Sequence, residues 1–435
     1  MPVVIVGIGV IFTWKTKCIQ LRLLPLAIRT LLDGFKEDSS DKAISPLKAT
    51  FTALAATVGT GNLAGVAGAI AIGGPGTIFW MWISGILGMI IKFSEVIIAL
   101  HFRKRNKHGQ WQGGPMENIL FGMPRKYSFL AYLYAFFGMV ASFGIGNAAQ
   151  INTITGSFES LLAFLGHEQT TSSKWILGIL LAIFYLYTVS AGIGRIGKYA
   201  QVLVPVSAVS YILLAVIALF MNFDAIPFAL QRILDGAFRP AAITGGMVGS
   251  TFQTIRTGIS RGIFTNEAGM GTASIAHASA ESEDTVKQGL LGIAEVFIDT
   301  IVICTLTALV ILCGNVEIPF GTDHGIQLTL QAFSDIYRDW ILIPLTIIII
   351  MLATATVLGW GMYGVRCAQF LLGNSNHRLF MLMHCAVIIF SALGNTAVIW
   401  NLSEMANGLM AIPNLVCISY LSPVFLDRIK TYRSP

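Results

Sequence analysis

Thr52-Ala-Leu-Ala-Ala-Thr-Val-Gly-Thr-Gly-Asn-Leu-Ala-Gly-Val-Ala-Gly68 is the stretch that decides how the rest of the chain is read. It is apolar enough for a bilayer, yet Gly59, Gly61, Gly65 and Gly68 stand in it beside Thr57, Thr60 and Asn62. Glycine weakens a helix, and backbone N–H and C=O groups freed in hydrocarbon are costly unless something binds them. A helix that only anchors has no use for Gly-Thr-Gly-Asn at its centre. The composition points to a small polar solute and a cation held at a break.

Of the 435 residues, 55% are hydrophobic and 11% charged, against about 25% charged in an ordinary soluble domain. So few charges cannot wet a soluble surface of this size, and the chain reads as a polytopic membrane protein. Apolar runs of about 20 residues recur along its whole length, as bilayer-crossing helices require. They are continuous rather than alternating, which favours helices over a barrel. The net charge of +6 reports basic cytoplasmic loops, not nucleic acid. The six cysteines, Cys18, Cys304, Cys313, Cys367, Cys385 and Cys417, are scattered, and read as small hydrophobes rather than metal ligands or disulfides. Residues 1–12 are apolar without a basic n-region or cleavage site, so they read as a partial or tilted span rather than a cleaved signal.

The expected spans cover residues 46–71, 77–102, 127–165, 174–191, 198–221, 241–280, 289–313, 339–372, 377–393 and 396–425, after a basic amphipathic linker at 15–48. Arg103, Lys104, Arg105 and Lys107, with Arg125, Lys126, Arg195, Lys198, Arg366, Arg378, Arg428, Lys430 and Arg433, fall on one side if these spans alternate. The positive-inside rule makes that side, and the C-terminus, cytoplasmic.

A second membrane-length segment is glycine-interrupted: Gly258-Ile-Ser-Arg-Gly-Ile-Phe-Thr-Asn-Glu-Ala-Gly-Met-Gly-Thr-Ala-Ser-Ile-Ala-His277. It lies five spans after the first. An odd offset inverts the two halves relative to each other, and matching interruptions in inverted halves point to a binding site where they meet. Half-helix N-termini suit a carboxylate, and carbonyl ends suit a cation.

Several stretches together resemble the alanine/glycine:cation symporter family, with the LeuT-type Gly-x-Gly-Asn break at Gly59-Thr-Gly-Asn62. They include residues 53–65, Gly73-Gly-Pro-Gly76, Gly113-Gly-Pro-Met116, Gly144-Ile-Gly-Asn-Ala-Ala-Gln150 and Arg195-Ile-Gly-Lys198. Arg261-Gly-Ile-Phe-Thr-Asn-Glu-Ala-Gly-Met-Gly271, Ile275-Ala-His-Ala278, Leu358-Gly-Trp360 and residues 407–414 complete the ordered set. The resemblance implies an all-α LeuT-like fold with a five-plus-five inverted repeat of ten core helices and an extra N-terminal helix. The repeats would occupy 46–222 and 223–435, after an N-terminal region at 1–45. It also implies Na⁺-coupled uptake of alanine or glycine across the inner membrane, by a protein that works as a monomer.

By the same resemblance, Gly59, Thr60, Gly61 and Asn62 would hold the substrate carboxylate, and Gln150 would reach it from the third helix. Ile263 and Asn266 would line the pocket from the sixth. Thr356 and Trp360, one turn apart on the eighth, would close it and limit side-chain size. Na⁺ would be held by the Ala55 and Val58 carbonyls and by eighth-helix hydroxyls. Relatives often carry two adjacent hydroxyl residues there. Here the pair is Ala355-Thr356, so Thr354 or a water would have to substitute, or H⁺ would be the coupling ion.

Plainer readings stand beside these. The first-span glycines could serve close helix packing, and Gln150 could be a structural interhelical bond. Lys92 and Glu95 read as an i,i+3 pair near the cytoplasmic end. Arg261 and Glu267 read as paired or gate-forming. Glu295 and Asp299 read as buried hydrogen-bonding groups before proton relays, and His277 and His384 as structural. Serine is an alternative substrate. A channel would need a continuous polar pore, and an amino-acid-sensing transceptor an output domain; neither is legible. No catalytic constellation is present, and no cofactor is expected beyond the coupling ion.

Overall fold

The computed structural model describes residues 2–37, 44–107, 109–246, 248, 250–322, 325–373, 377–394 and 397–432. Met1, Thr396 and Arg433 lie outside them. The described chain is helical apart from a short hairpin, Lys104–Arg105 paired antiparallel with Trp111–Gln112.

Among the described residues, six helices are long and apolar enough to cross a membrane: Thr77–Phe102, Arg125–Phe164, Thr171–Val189, Ile193–Met221, Thr285–Cys313 and Asp339–Leu372. They are the second, third, fourth, fifth, seventh and eighth spans. The first span is Pro46–Thr57 and Thr60–Gly73, bent by 51° at the Gly-Thr-Gly-Asn break. The sixth is Thr251–Asn266 followed by Thr272–His277. His377–Leu393 and Ala397–Tyr420 are the ninth and tenth. The most apolar window of the second span is 89% buried and that of the fourth 28%. The second span therefore runs through the middle of the molecule, while the fourth meets lipid.

Some boundaries differ from expectation. The sixth span does not begin near residue 241. It starts at Thr251, where the Ser250 hydroxyl accepts from the Gln253 N–H at 3.2 Å and caps the helix. Before it lies Ile226–Phe238, with Pro227 in its first turn, which the continuous apolar pattern had merged into flanking loop. Ile326–Tyr337, between the seventh and eighth spans, is a further helix outside the expected spans. It buries Ile326, Leu330 and Phe333 at helical spacing, and Thr329 Oγ1 donates to the Leu63 carbonyl at 3.1 Å, just beyond the first-span break. The N-terminal helix, Pro2–Lys15, has 14 residues, about 21 Å of helix against a hydrocarbon core of about 30 Å. It is laid so closely on the second span that a Cβ on Gly9 would come within 2.8 Å of Leu87 Cβ.

Candidate functional site

The first-span break is built from displaced backbone bonds. In an unbroken helix the Gly59 N–H would bond to the Ala55 carbonyl; it donates instead to Asn62 Oδ1 at 2.9 Å. The Thr60 N–H, which would serve Ala56, donates to Gln150 Oε1 at 3.3 Å. The Asn62 N–H, which would serve Val58, goes to the Gly59 carbonyl at 3.3 Å and closes a tight 3₁₀ turn over Thr60–Asn62. Ala55 and Val58 thus lose their helical donors, and both residues are fully buried. Carbonyls in that condition suit a hard cation.

Neighbouring spans brace this turn. Gln150 Oε1 also accepts from Thr60 Oγ1 at 2.8 Å, while Gln150 Nε2 donates to the Ile145 carbonyl at 3.0 Å, which fixes how the amide is turned. Asn62 Nδ2 donates to Asp299 Oδ1 at 2.7 Å and to the Asp299 carbonyl at 3.0 Å on the seventh span. Thr300 Oγ1 donates to Asp299 Oδ2 at 2.8 Å. From the eighth span, Thr356 comes against the break so closely that a Cβ on Gly59 would sit 2.2 Å from its Oγ1. Thr60, Asn62, Gln150, Thr356 and Trp360 are all 5% exposed or less, so the site is closed to solvent.

The sixth-span break uses left-handed residues: Glu267 at φ 55°, Gly269 at φ 89° and Gly271 at φ 77°. Glutamate tolerates that conformation here because both carboxylate oxygens are held. Trp360 Nε1 donates to Oε1 at 2.7 Å, and Thr272 Oγ1 to Oε2 at 2.5 Å. Trp360 packs on Gly146 of the third span, where any Cβ would fall 2.1 Å from the tryptophan's own Cβ. Below the break, Glu95 Oε1 accepts from the Gly271 N–H at 3.1 Å and from Asn414 Nδ2 at 2.6 Å.

A charged brace lies one turn before the first break. Lys92 Nζ and Glu295 Oε1 are 3.0 Å apart, both side chains fully buried. Gln288 Nε2 donates to His277 Nδ1 at 2.8 Å, which leaves His277 Nε2 as the donor to Glu295 Oε2 at 3.2 Å. Thr57 Oγ1 lies 3.4 Å from Glu295 Oε1. The second, sixth and seventh spans are thereby tied to the residue preceding Val58.

Several of the expected residues meet here: Gly59, Thr60, Gly61, Asn62, Gln150 and Thr356 around one break, with Ala55 and Val58 on its near side, while Trp360 joins the sixth-span break through Glu267. Others do not. Thr354 is two residues from Thr356, about 200° around the helix, so it cannot share the face that meets Gly59; its buried hydroxyl makes no hydrogen bond. Ile263 lines a different cavity, of about 160 Å³, beside Pro2 and Ile5 of the N-terminal helix. Its neighbours Phe264 and Thr265 are the ones within 3.6 Å of where a Gly61 Cβ would be. Asn266 is committed to Thr300 Oγ1 at 3.2 Å and to the Ala268 N–H at 3.0 Å. Lys92 does not pair with Glu95 near a membrane edge; its partner is Glu295, 203 residues away in sequence. No sequence spacing could join that pair, although a lysine inside an apolar span already demanded a partner.

Two interrupted spans that meet within a ring of continuous ones define a multi-pass membrane transporter. The chain belongs to the sodium:alanine symporter family, whose model matches residues 1–435. It is 37% identical to the sodium/alanine symporter AgcS of Methanococcus maripaludis, over 99% of this chain and 94% of that one. It is 35% identical to the probable sodium/glutamine symporter GlnT of Bacillus subtilis, over 99% of this chain and 87% of that one. Its fold is shared with MhsT, solved in complex with L-phenylalanine: the TM-score is 0.67 at 13% identity, over 91% of this chain and 94% of that one. The architecture is therefore LeuT-like.

Proposed function

We propose that the chain is a secondary-active symporter that imports alanine, with glycine as a second substrate, coupled to Na⁺ by alternating access. The observation that carries this reading is the first-span break. The Ala55 and Val58 carbonyls have lost their helical donors, Thr356 Oγ1 comes against Gly59 from the eighth span, and these three oxygens would form the core of a cation site. The Gly59–Asn62 turn, with Thr60 and Gln150, faces the substrate carboxylate. Cation binding orders the turn against the eighth span and so completes the carboxylate site.

Substrate size follows from Trp360. Its indole is pinned by Glu267 on one side and seated on Gly146 on the other, so it cannot swing away to admit a long side chain. Relatives of nearly equal identity are named for alanine and for glutamine, so this local restriction, not overall similarity, supports the small substrate. H⁺ coupling is the second reading, favoured by Ala355, which removes one expected hydroxyl ligand. The two repeats would divide near residue 222, with the C-terminus cytoplasmic in an inner membrane and one chain as the working unit.

The test is uptake of radiolabelled alanine and glycine into proteoliposomes under an imposed Na⁺ or H⁺ gradient. Uptake driven by Na⁺ is expected. Uptake driven only by H⁺ supports the second reading, and uptake indifferent to both gradients refutes symport.

A further inference from the structure

A separate cleft lies on the side that carries Arg103, Lys104 and Arg105. Gln112, Met116, Glu117, Ile275, Arg366 and Phe370 line about 90 Å³ there. That is several times the roughly 10–15 Å³ one water requires, and enough for a solute of a few heavy atoms. Its walls are the helix Pro115–Gly122, the second half of the sixth span and the last two turns of the eighth. Gly114 allows the close approach: a Cβ there would lie 2.7 Å from Ile275 Cγ1, and at φ 134° a side chain would be strained as well.

Two opposite charges line this cleft. Glu117 sits in the first turn of its helix, and its Oε2 is shielded from solvent without a hydrogen-bond donor. Arg366 spends one N–H on Gln369 Oε1 at 3.4 Å, the long limit of a hydrogen bond. A guanidinium has five donors. A shielded carboxylate oxygen with no donor is costly, and a lone cation or lone anion would satisfy only one wall. An α-amino acid satisfies both: its ammonium meets Glu117, and its carboxylate meets the guanidinium fork. Met116, Ile275 and Phe370 leave an apolar side for a short aliphatic side chain.

We propose that this cleft is a transit site for zwitterionic amino acids, occupied between the central break and the cytoplasm. It rests on the transport reading above and on the positive-inside orientation. Arg366 follows Trp360 by six residues, about 9 Å along the helix. The Trp360 and Tyr363 rings, with centroids 5.9 Å apart, stand between the two levels. A substrate released past Trp360 reaches the Glu117 and Arg366 pair next.

The experiment compares right-side-out and inside-out membrane vesicles, measuring the half-saturating alanine concentration on each face. Glu117→Gln is expected to raise the cytoplasmic-face value about tenfold and leave the external value unchanged, and Arg366→Lys, which keeps the charge but loses the fork, to raise it less. Met116→Trp, which fills the cleft without removing either charge, is expected to shift the same face, and thermal unfolding of each purified variant at the wild-type temperature guards against a folding defect. Variants that move both faces equally, or neither, overturn the proposal while leaving symport intact. Wild-type vesicles that carry no alanine from either face overturn the transport reading and this inference with it.

Discussion

Gly59→Ala and Gly65→Ala are the same substitution six residues apart, and the structure gives them opposite outcomes. A Cβ at Gly59 would be 2.2 Å from Thr356 Oγ1, 3.3 Å from Thr356 Cβ and 3.4 Å from Gln150 Oε1. An ordinary contact begins near 3.4 Å, so the first and eighth spans must part by about 1 Å, or Thr356 must turn and give up its 3.1 Å bond to the Leu352 carbonyl. Overpacking of this kind costs about 1–3 kcal/mol. Either response moves the Thr356 hydroxyl away from the first-span break. Gly65 has nothing within 4 Å of its would-be Cβ and lies within the helix Ala64–Gly73. There alanine stabilises the helix by about 0.5–1 kcal/mol. The assay is thermal unfolding of purified protein, with and without Na⁺, alongside alanine uptake in proteoliposomes. Gly59→Ala is expected to lose most uptake and any stabilisation by Na⁺, and Gly65→Ala to keep both. Equal behaviour of the two variants, or full uptake by Gly59→Ala, would refute the contact reasoning.

Lys92→Met leaves Glu295 buried without its cation and is expected to cost about 3–5 kcal/mol, whereas Lys92→Met with Glu295→Gln recovers most of that in thermal unfolding. A double variant no better than the sum of its singles would exclude a direct pair. Trp360→Phe keeps the ring on Gly146 but removes the donor to Glu267; it should lower alanine transport about tenfold and widen acceptance toward larger amino acids in competition assays. Asn62→Ala removes the bonds to Gly59 and Asp299 together and should abolish uptake, while unchanged kinetics would take the residue out of the site. Gln150→Glu keeps an acceptor for Thr60 but places a negative charge beside the substrate carboxylate, and a raised half-saturating alanine concentration is the expected result.

The two breaks were legible because glycine and polar residues inside apolar runs have few other physical meanings. Gly59–Asn62 and Gly262–Gly271 both announced themselves this way. Local helical spacing also placed Thr356 and Trp360 on neighbouring turns. What stayed hidden is partnership across distance in sequence. Helical spacing offers Lys92 only near neighbours such as Glu95, yet the fold brings Glu295 to it. Asn62 was read as a ligand, although its amide is largely occupied by Asp299. Ile326–Tyr337 escaped notice because an amphipathic helix lying beside the membrane spans lacks the long apolar run that marks a crossing. Thr354 shows the converse: adjacency in sequence suggested a shared role that the helical turn forbids.

The third and seventh spans each contain a π-helical stretch, Gly144–Ala148 and Phe297–Ile303. Gln150 follows the first closely and Asp299 lies within the second, so both residues that grip the first-span turn owe their facing to a widened coil. A wide turn holds one surplus residue, and deleting it would rotate everything beyond by about 100°. Chain length in these two places therefore constrains the site alongside side-chain identity. A one-residue deletion in either widened turn would aim Gln150 or Asp299 away from the Gly59–Asn62 turn while leaving the composition of the span almost unchanged.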